Sequence, residues 1–302
     1  MAEVKKENKV TENKEVTKNV EEAKENYVDE RVQKITKEAT EAINAVVKVV
    51  ELLDKENKEE VLEQIEKVLG KLEVLVAKDP TLQAVPVGVR QEVVDFPGTV
   101  EDVELAKTEV VALIKKGEVA LARDIMLNLA SELDIYITAL PIGTYPVVIK
   151  AIIPLVEEGK FKEAKALIVE ALETLIIEKV VIPLPILRAE KTIIKASEMT
   201  KENDKANKEE LSKLLEYAKE QLLLAQALGY GKIETDYKDL FEEIENIENK
   251  LKGEEGTKGI FENLKTKLSS FMSGFNKVKN PTQMPTKKED NKEDNKDEKK
   301  NQ

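Results

Sequence analysis

The sequence predicts an all-α protein of stacked antiparallel helical hairpins, bundle-like or solenoid-like, with one Pro/Val-rich extended loop and disordered termini. Three observations carry this. Apolar residues recur at three-four spacing over most of the 302 residues. Aromatics are only 4 % and Trp is absent, so packing rests on Leu, Ile, Val and Ala, which suits interlocking helices. A helix–Gly–helix unit repeats at an offset of 42 residues.

Taken in order, residues 1–27 alternate Lys, Glu, Asn, Val and Thr with few large apolar side chains. Such a segment buries too little to offset chain entropy, and a disordered or frayed helical segment is expected. The helical body is expected over 28–252. Val32, Ile35, Ala39, Ala42, Val46, Val49 and Leu53 form one amphipathic stripe between Val28 and Leu53, and Val61, Ile65, Val68, Leu72 and Leu75 form the next. From Lys78 to Thr99 three prolines, two glycines and five valines mark the extended connection, with room for a short strand pair. Thr99 stands as the N-cap of the next helix, with Asp102 three residues on.

The repeat aligns Leu113–Gly117 with Leu155–Gly159, Ala122 with Ala164, Ile125 with Leu167, Leu133 with Leu175, and Leu140–Ile142 with Ile182–Leu184. Gly117 and Gly159 are read as left-handed helix stops. Each unit is helix, Gly, helix, then an apolar segment ended by Pro, and a looser copy covers 50–76. Helices over 186–199, 209–228 and 240–251 complete the body. Residues 253–279 read as a linker and a basic amphipathic helix. The tail 280–302 balances six Lys against six acids and is expected to be disordered.

Chemistry is narrowed by what is missing. With no Cys and no His, disulfides, thiolate nucleophiles, Cys/His zinc sites and Ser-His-Asp triads are excluded. A net charge of −12 disfavours nucleic acid as a partner. Glycine-rich phosphate loops and twelve-residue Ca²⁺ loops are absent. No catalytic residue, metal ligand or cofactor is assigned. No secretory signal and no apolar run of membrane-spanning length is read, which gives a cytoplasmic expectation.

The order VPVGVRQEVVDF (85–96), LIKKGEVALARDIMLNL (113–129), TALPIGTY (138–145), LVEEGKFKEAKALIVEAL (155–172), EKVVIPLPILRAEKTI (178–193) and LLLAQALGYG (222–231) resembles the YfdX family over about residues 30–252. The resemblance implies an all-α bacterial protein linked to stress tolerance, with no established reaction or cofactor. Family members are usually exported; this chain departs in carrying no signal and in its extension past 253.

Three candidate sites follow. Offset 42 places Ile142–Tyr145 opposite Leu184–Leu187, so Thr144, Tyr145, Glu178 and Arg188 are expected to line a ligand cleft at one end of the hairpins. The plainer reading is that the prolines end helices and the polar groups satisfy loop backbone. Only Arg31, Arg90, Arg123 and Arg188 are Arg in a Lys-rich chain, which suggests sites that use a forked guanidinium, with structural ion pairs as the plain alternative. In 257–279, Ile260, Phe261, Leu264, Leu268, Phe271, Met272 and Phe275 share one face, beside Lys265 and Lys267. That face suits an anionic membrane or a partner's groove, or else docks on the protein's own body. The leading functional expectation is a non-enzymatic, stress-associated binding protein, chaperone-like or sequestering an apolar small molecule in a groove between hairpins. A membrane-peripheral structural protein and an enzyme using carboxylates and Tyr are the alternatives; client proteins, a membrane surface or a second copy are the partners.

Overall fold

The computed structural model describes residues 13–35, 37–78, 84–201, 207–232, 236–253 and 256–276. The tail expectation for 280–302, and residues 1–12 of the N-terminal one, lie outside them. Among the described residues the chain is mostly helical, with eleven helices and one three-stranded sheet. The elements are α1 (Lys14–Val32), α2 (Lys37–Leu53), α3 (Lys58–Lys78), β1 (Val85–Val94), α4 (Val100–Lys116), α5 (Val119–Leu127), β2 (Glu132–Leu140), α6 (Tyr145–Glu157), α7 (Phe161–Glu173), β3 (Ile176–Pro183), α8 (Leu184–Lys201), α9 (Lys208–Ala227), α10 (Lys238–Lys252) and α11 (Glu262–Ser273).

The all-α expectation is therefore corrected in one respect. The Pro/Val-rich loop is β1, and the apolar segments that end each repeat are β2 and β3. The repeating unit is helix–helix–strand, three times over: α2–α3–β1, α4–α5–β2 and α6–α7–β3. β1 pairs antiparallel with β2, and β2 with β3. β-branched residues fill these strands, and Pro141 and Pro183 mark strand ends because proline cannot donate to a ladder.

The two glycine stops behave as read: Gly117 (φ 79°) and Gly159 (φ 75°) sit in the left-handed region at the hairpin tips. Thr99 and Asp102 form the reciprocal cap of α4, with Thr99 N–H donating to Asp102 Oδ2 at 2.8 Å.

The continuous helix read over Val28–Leu53 is broken between α1 and α2, because the two bury their stripes in different cores. The expected disordered segment 1–27 is helical from Lys14. Asn13 caps α1 by accepting from Glu15 N–H at 3.0 Å. Val16, Val20 and Ala23 at helical spacing are too sparse to hold a helix alone but enough to dock one.

Two main cores result. One lies between α1, α8, α9, α10 and α11 and the Leu133/Ile135/Ile137 face of the sheet. The other fills the four-helix unit of α2, α3, α6 and α7. A small third cluster, Val103 with Leu224 and Ala227, seats the base of α4 on α9. The hairpins α4–α5 and α6–α7 thus do not stack on each other, as the repeat suggested: their strands adjoin, while α6–α7 packs on α2–α3.

Candidate functional site

The expected cleft does not form. β2 and β3 run antiparallel, with Ala139 opposite Ile176 and Glu132 opposite Pro183, so Pro141 and Pro183 lie at opposite ends of the sheet. Sequence offset predicts equivalent positions in a repeat, but alternate strands point opposite ways. Thr144 is exposed, and its hydroxyl donates to the Pro141 carbonyl at 3.2 Å. Tyr145 is buried in the four-helix core, its hydroxyl donating to the Ala171 carbonyl at 2.8 Å, and burial raises its pKa to about 12. Glu178 registers with Ile137 on β2.

Arg188 instead belongs to a polar network joining α8 to the sheet. Its guanidinium forks onto Asp95, Nη1 to Oδ1 at 3.1 Å and Nη2 to Oδ2 at 2.6 Å. Ser131 Oγ donates to Asp95 Oδ1 at 2.7 Å. Tyr230 Oη accepts from Ser131 N–H and donates to Glu132 Oε2, both at 2.8 Å. Lys179 then bridges Glu132 (3.5 Å) and Asp134 (2.6 Å), and Tyr136 donates to Asp134 at 3.3 Å. Arg90 stacks over the Tyr136 ring at 4.3 Å. Burial alone would raise Asp95; Arg188 and Ser131 outweigh it and hold the carboxyl below the usual range. Burial works against the Lys179 ammonium, but Asp134 and Glu132 raise its pKa overall.

Each carboxylate of this network meets a cation or a hydroxyl, and Asp134 Oδ1, with no partner among the described residues, is sealed from solvent. Asp95, Arg188 and Tyr230 come from three separate motifs of the family-like order, and the structure brings them into one network. The ion-pair reading of the arginines also holds for Arg31, which bonds the Tyr27 carbonyl at 2.9 Å and pairs with Glu30 and Asn276. Arg123 is exposed on α5.

The basic helix docks on the body. Phe261, Leu264, Leu268, Met272 and Phe275 are buried in the first core, with Ile260 and Phe271 packed against it. Lys265 pairs with Glu262 at 2.7 Å and Lys267 with Glu243 at 3.3 Å. The face read as available to a membrane or partner is covered by α8 and α10. No helix of the described residues is long and apolar enough to cross a membrane, and no acidic cluster among them has metal-holding geometry. The expected apolar groove between hairpins is filled by the four-helix core. Two surface clefts lie elsewhere. One of about 400 Å³ between α9 and α10 is rimmed by Glu216, Lys219, Glu220 and Glu248, and one of about 300 Å³ lies between α1, α8 and α11.

The feature that sequence reading missed is the α4–α5 hairpin. Leu105 (69 % exposed), Val111, Ile114, Val119, Leu121, Met126 and Leu127 (70 % exposed) all project into solvent. One signal was present: α5 carries apolar residues all round a short helix, which a single buried face does not require.

A family model described as YfdX protein matches residues 42–181. The solved structure of Salmonella Typhi YfdX aligns at a TM-score of 0.34 and 12 % identity, covering 50 % of this chain and 93 % of that one. A comparison with curated proteins finds no match. The family match is narrower than the 30–252 span of the motif resemblance and stops within β3. It takes in nearly all of the three helix–helix–strand units, and over residues 42–181 this chain is similar to the YfdX family.

Proposed function

We propose that the protein works without chemistry of its own, as an interaction protein that binds other polypeptides through the projecting α4–α5 hairpin. The carrying observation is the set of large apolar side chains left in solvent on one hairpin, while the equivalent hairpin α6–α7 is covered. Apolar area exposed on a rigid, capped pair of helices favours binding of amphipathic segments, and the surrounding acidic surface keeps the molecule soluble. A role in holding stress-unfolded clients fits the family resemblance and a polar network whose cations are paired to carboxylates. The reading moves the binding surface from a groove between hairpins to the outside of one.

The test is suppression of aggregation of a thermally unfolding client enzyme, compared with a chain carrying Leu105→Asp, Leu121→Asp and Leu127→Asp. These side chains are already in solvent, so the variant is expected to keep its helical circular dichroism and lose most of the protection. Equal protection by the variant, or none by the parent across several clients, overturns the proposal.

A further inference from the structure

The internal repeat says what kind of surface covers a hairpin of this type. In the four-helix unit, α2 lies against α7 and α3 against α6. The tips of the two hairpins meet: Lys58 at the start of α3 pairs with Glu157 at the end of α6 at 2.6 Å, and Lys165 of α7 pairs with Asp54 beyond α2 at 2.6 Å. The first helix of each hairpin therefore runs antiparallel to the second helix of the other, a pseudo-two-fold relation about an axis along the hairpins.

At offset 42 the covered positions of α6–α7 map onto the uncovered tip of α4–α5. Val156 is fully buried, whereas its equivalent Ile114 is 51 % exposed; Ile168 is fully buried, whereas Met126 is 54 % exposed. Ile153 and Phe161 pack against the same core, whereas Val111 and Val119 are exposed. By contrast Leu105 maps onto Val147, which is exposed too. The comparison separates a tip face built for a second hairpin from side chains that stay outward in both copies. Lys107, where α6 has Ile149, bonds Glu104 at 2.9 Å and sits nearer the base, which α9 already supports.

We propose that a second copy of this chain covers the tip: two α4–α5 hairpins pair about a true two-fold axis, α4 of each against α5 of the other, through Val111, Ile114, Val119 and Met126. This deepens the proposed function and rests on the same exposed hairpin. An isologous contact needs a self-complementary surface. The tip supplies one, with Lys115 and Lys116 ending α4 and Glu118 opening α5. Two-fold pairing sets Lys115 of one copy near Glu118 of the other, the same junction that Lys58 and Glu157 close within the chain. Four apolar positions fall short of the roughly 800 Å² per partner of a standard interface, so the dimer is weak, with Kd on the order of micromolar.

Sedimentation velocity of the full chain from about 1 to about 200 µM tests this. The expected result is a rise from the 33.9 kDa chain mass toward twice that value. Ile114→Asp and Met126→Asp should each hold the mass at the monomer value, at least tenfold weaker in association, with unchanged circular dichroism. Lys115→Glu/Lys116→Glu mixed with Glu118→Lys should associate better than either alone. A parent chain that stays monomeric, or an Ile114→Asp chain that associates like the parent, overturns the pairing. Should the monomeric parent still protect clients in a manner lost on Leu105→Asp, Leu121→Asp and Leu127→Asp, the interaction reading survives and only the second copy is rejected; if protection is absent as well, both fall.

Discussion

Replacing Leu268 with Ala measures whether α11 belongs to the body of the protein. Leu268 is fully buried in the first core, on the face that α11 turns toward α8 and α10. The change removes three carbon atoms at about 0.8 kcal/mol each, about 2.4 kcal/mol of transfer free energy. A cavity penalty brings the expected loss to about 3 kcal/mol, inside the roughly 2–5 kcal/mol range for such truncations. For a chain of this size that lowers Tm by roughly 6–12 °C. Urea unfolding followed by circular dichroism gives the free energy, and a thermal scan gives Tm. Lys265→Ala, on the same helix and half-exposed, loses an ion pair with Glu262 and a 3.3 Å hydrogen bond to Ser197 Oγ but no core packing; it serves as control and should change stability by less than about 1 kcal/mol. A helix that engaged a membrane or partner instead would leave Tm indifferent to Leu268. A loss under about 0.5 kcal/mol would refute the docking argument, and co-sedimentation of the intact chain with anionic liposomes would then be expected.

Tyr145→Phe should cost only about 0.5–1.5 kcal/mol in denaturant unfolding, because the Ala171 carbonyl keeps Thr174 Oγ1 (2.7 Å) and Thr174 N–H (3.0 Å) as donors when the phenol goes. A loss above about 3 kcal/mol would mean that the hydroxyl does more than satisfy that carbonyl. Arg188→Lys should cost about 0.5–1.5 kcal/mol near neutral pH, since Lys loses the fork onto half-exposed Asp95. Asp95 has a lowered folded pKa, so its stabilising contribution is complete above the unfolded value of about 3.9 and is lost as pH falls through the folded one. Removing the fork should therefore move the acid-unfolding midpoint to higher pH. An unchanged acid midpoint and Tm would remove Arg188 from the structural role assigned to it.

Local signals were legible wherever a residue's role depends on its near neighbours. The three-four stripes, the Thr99/Asp102 cap and the glycine stops at 117 and 159 are settled within a turn or two of chain, and the structure contains each of them. The β-branched run over 85–94 announced extended backbone, but not its partner: β1 pairs with a strand some forty residues on, and pairing register is a long-range choice. α1 was misread for the same reason. Its stripe is too thin to fold alone, and only the presence of α8 and the sheet face beside it makes the helix worth ordering.

The candidate sites divide along that line. Sequence by itself determined that thiol, imidazole and phosphate-loop chemistry is absent, that the secondary structure is mainly helical, and that a unit recurs at 42 residues. Tertiary structure alone decided that Pro141 and Pro183 part company, that Asp95, Arg188 and Tyr230 meet, that α11 is covered and that α4–α5 is not. An amphipathic helix states that it has an apolar face; which surface that face meets depends on strand direction and on hairpins far away in the chain, and those are properties of the assembled fold.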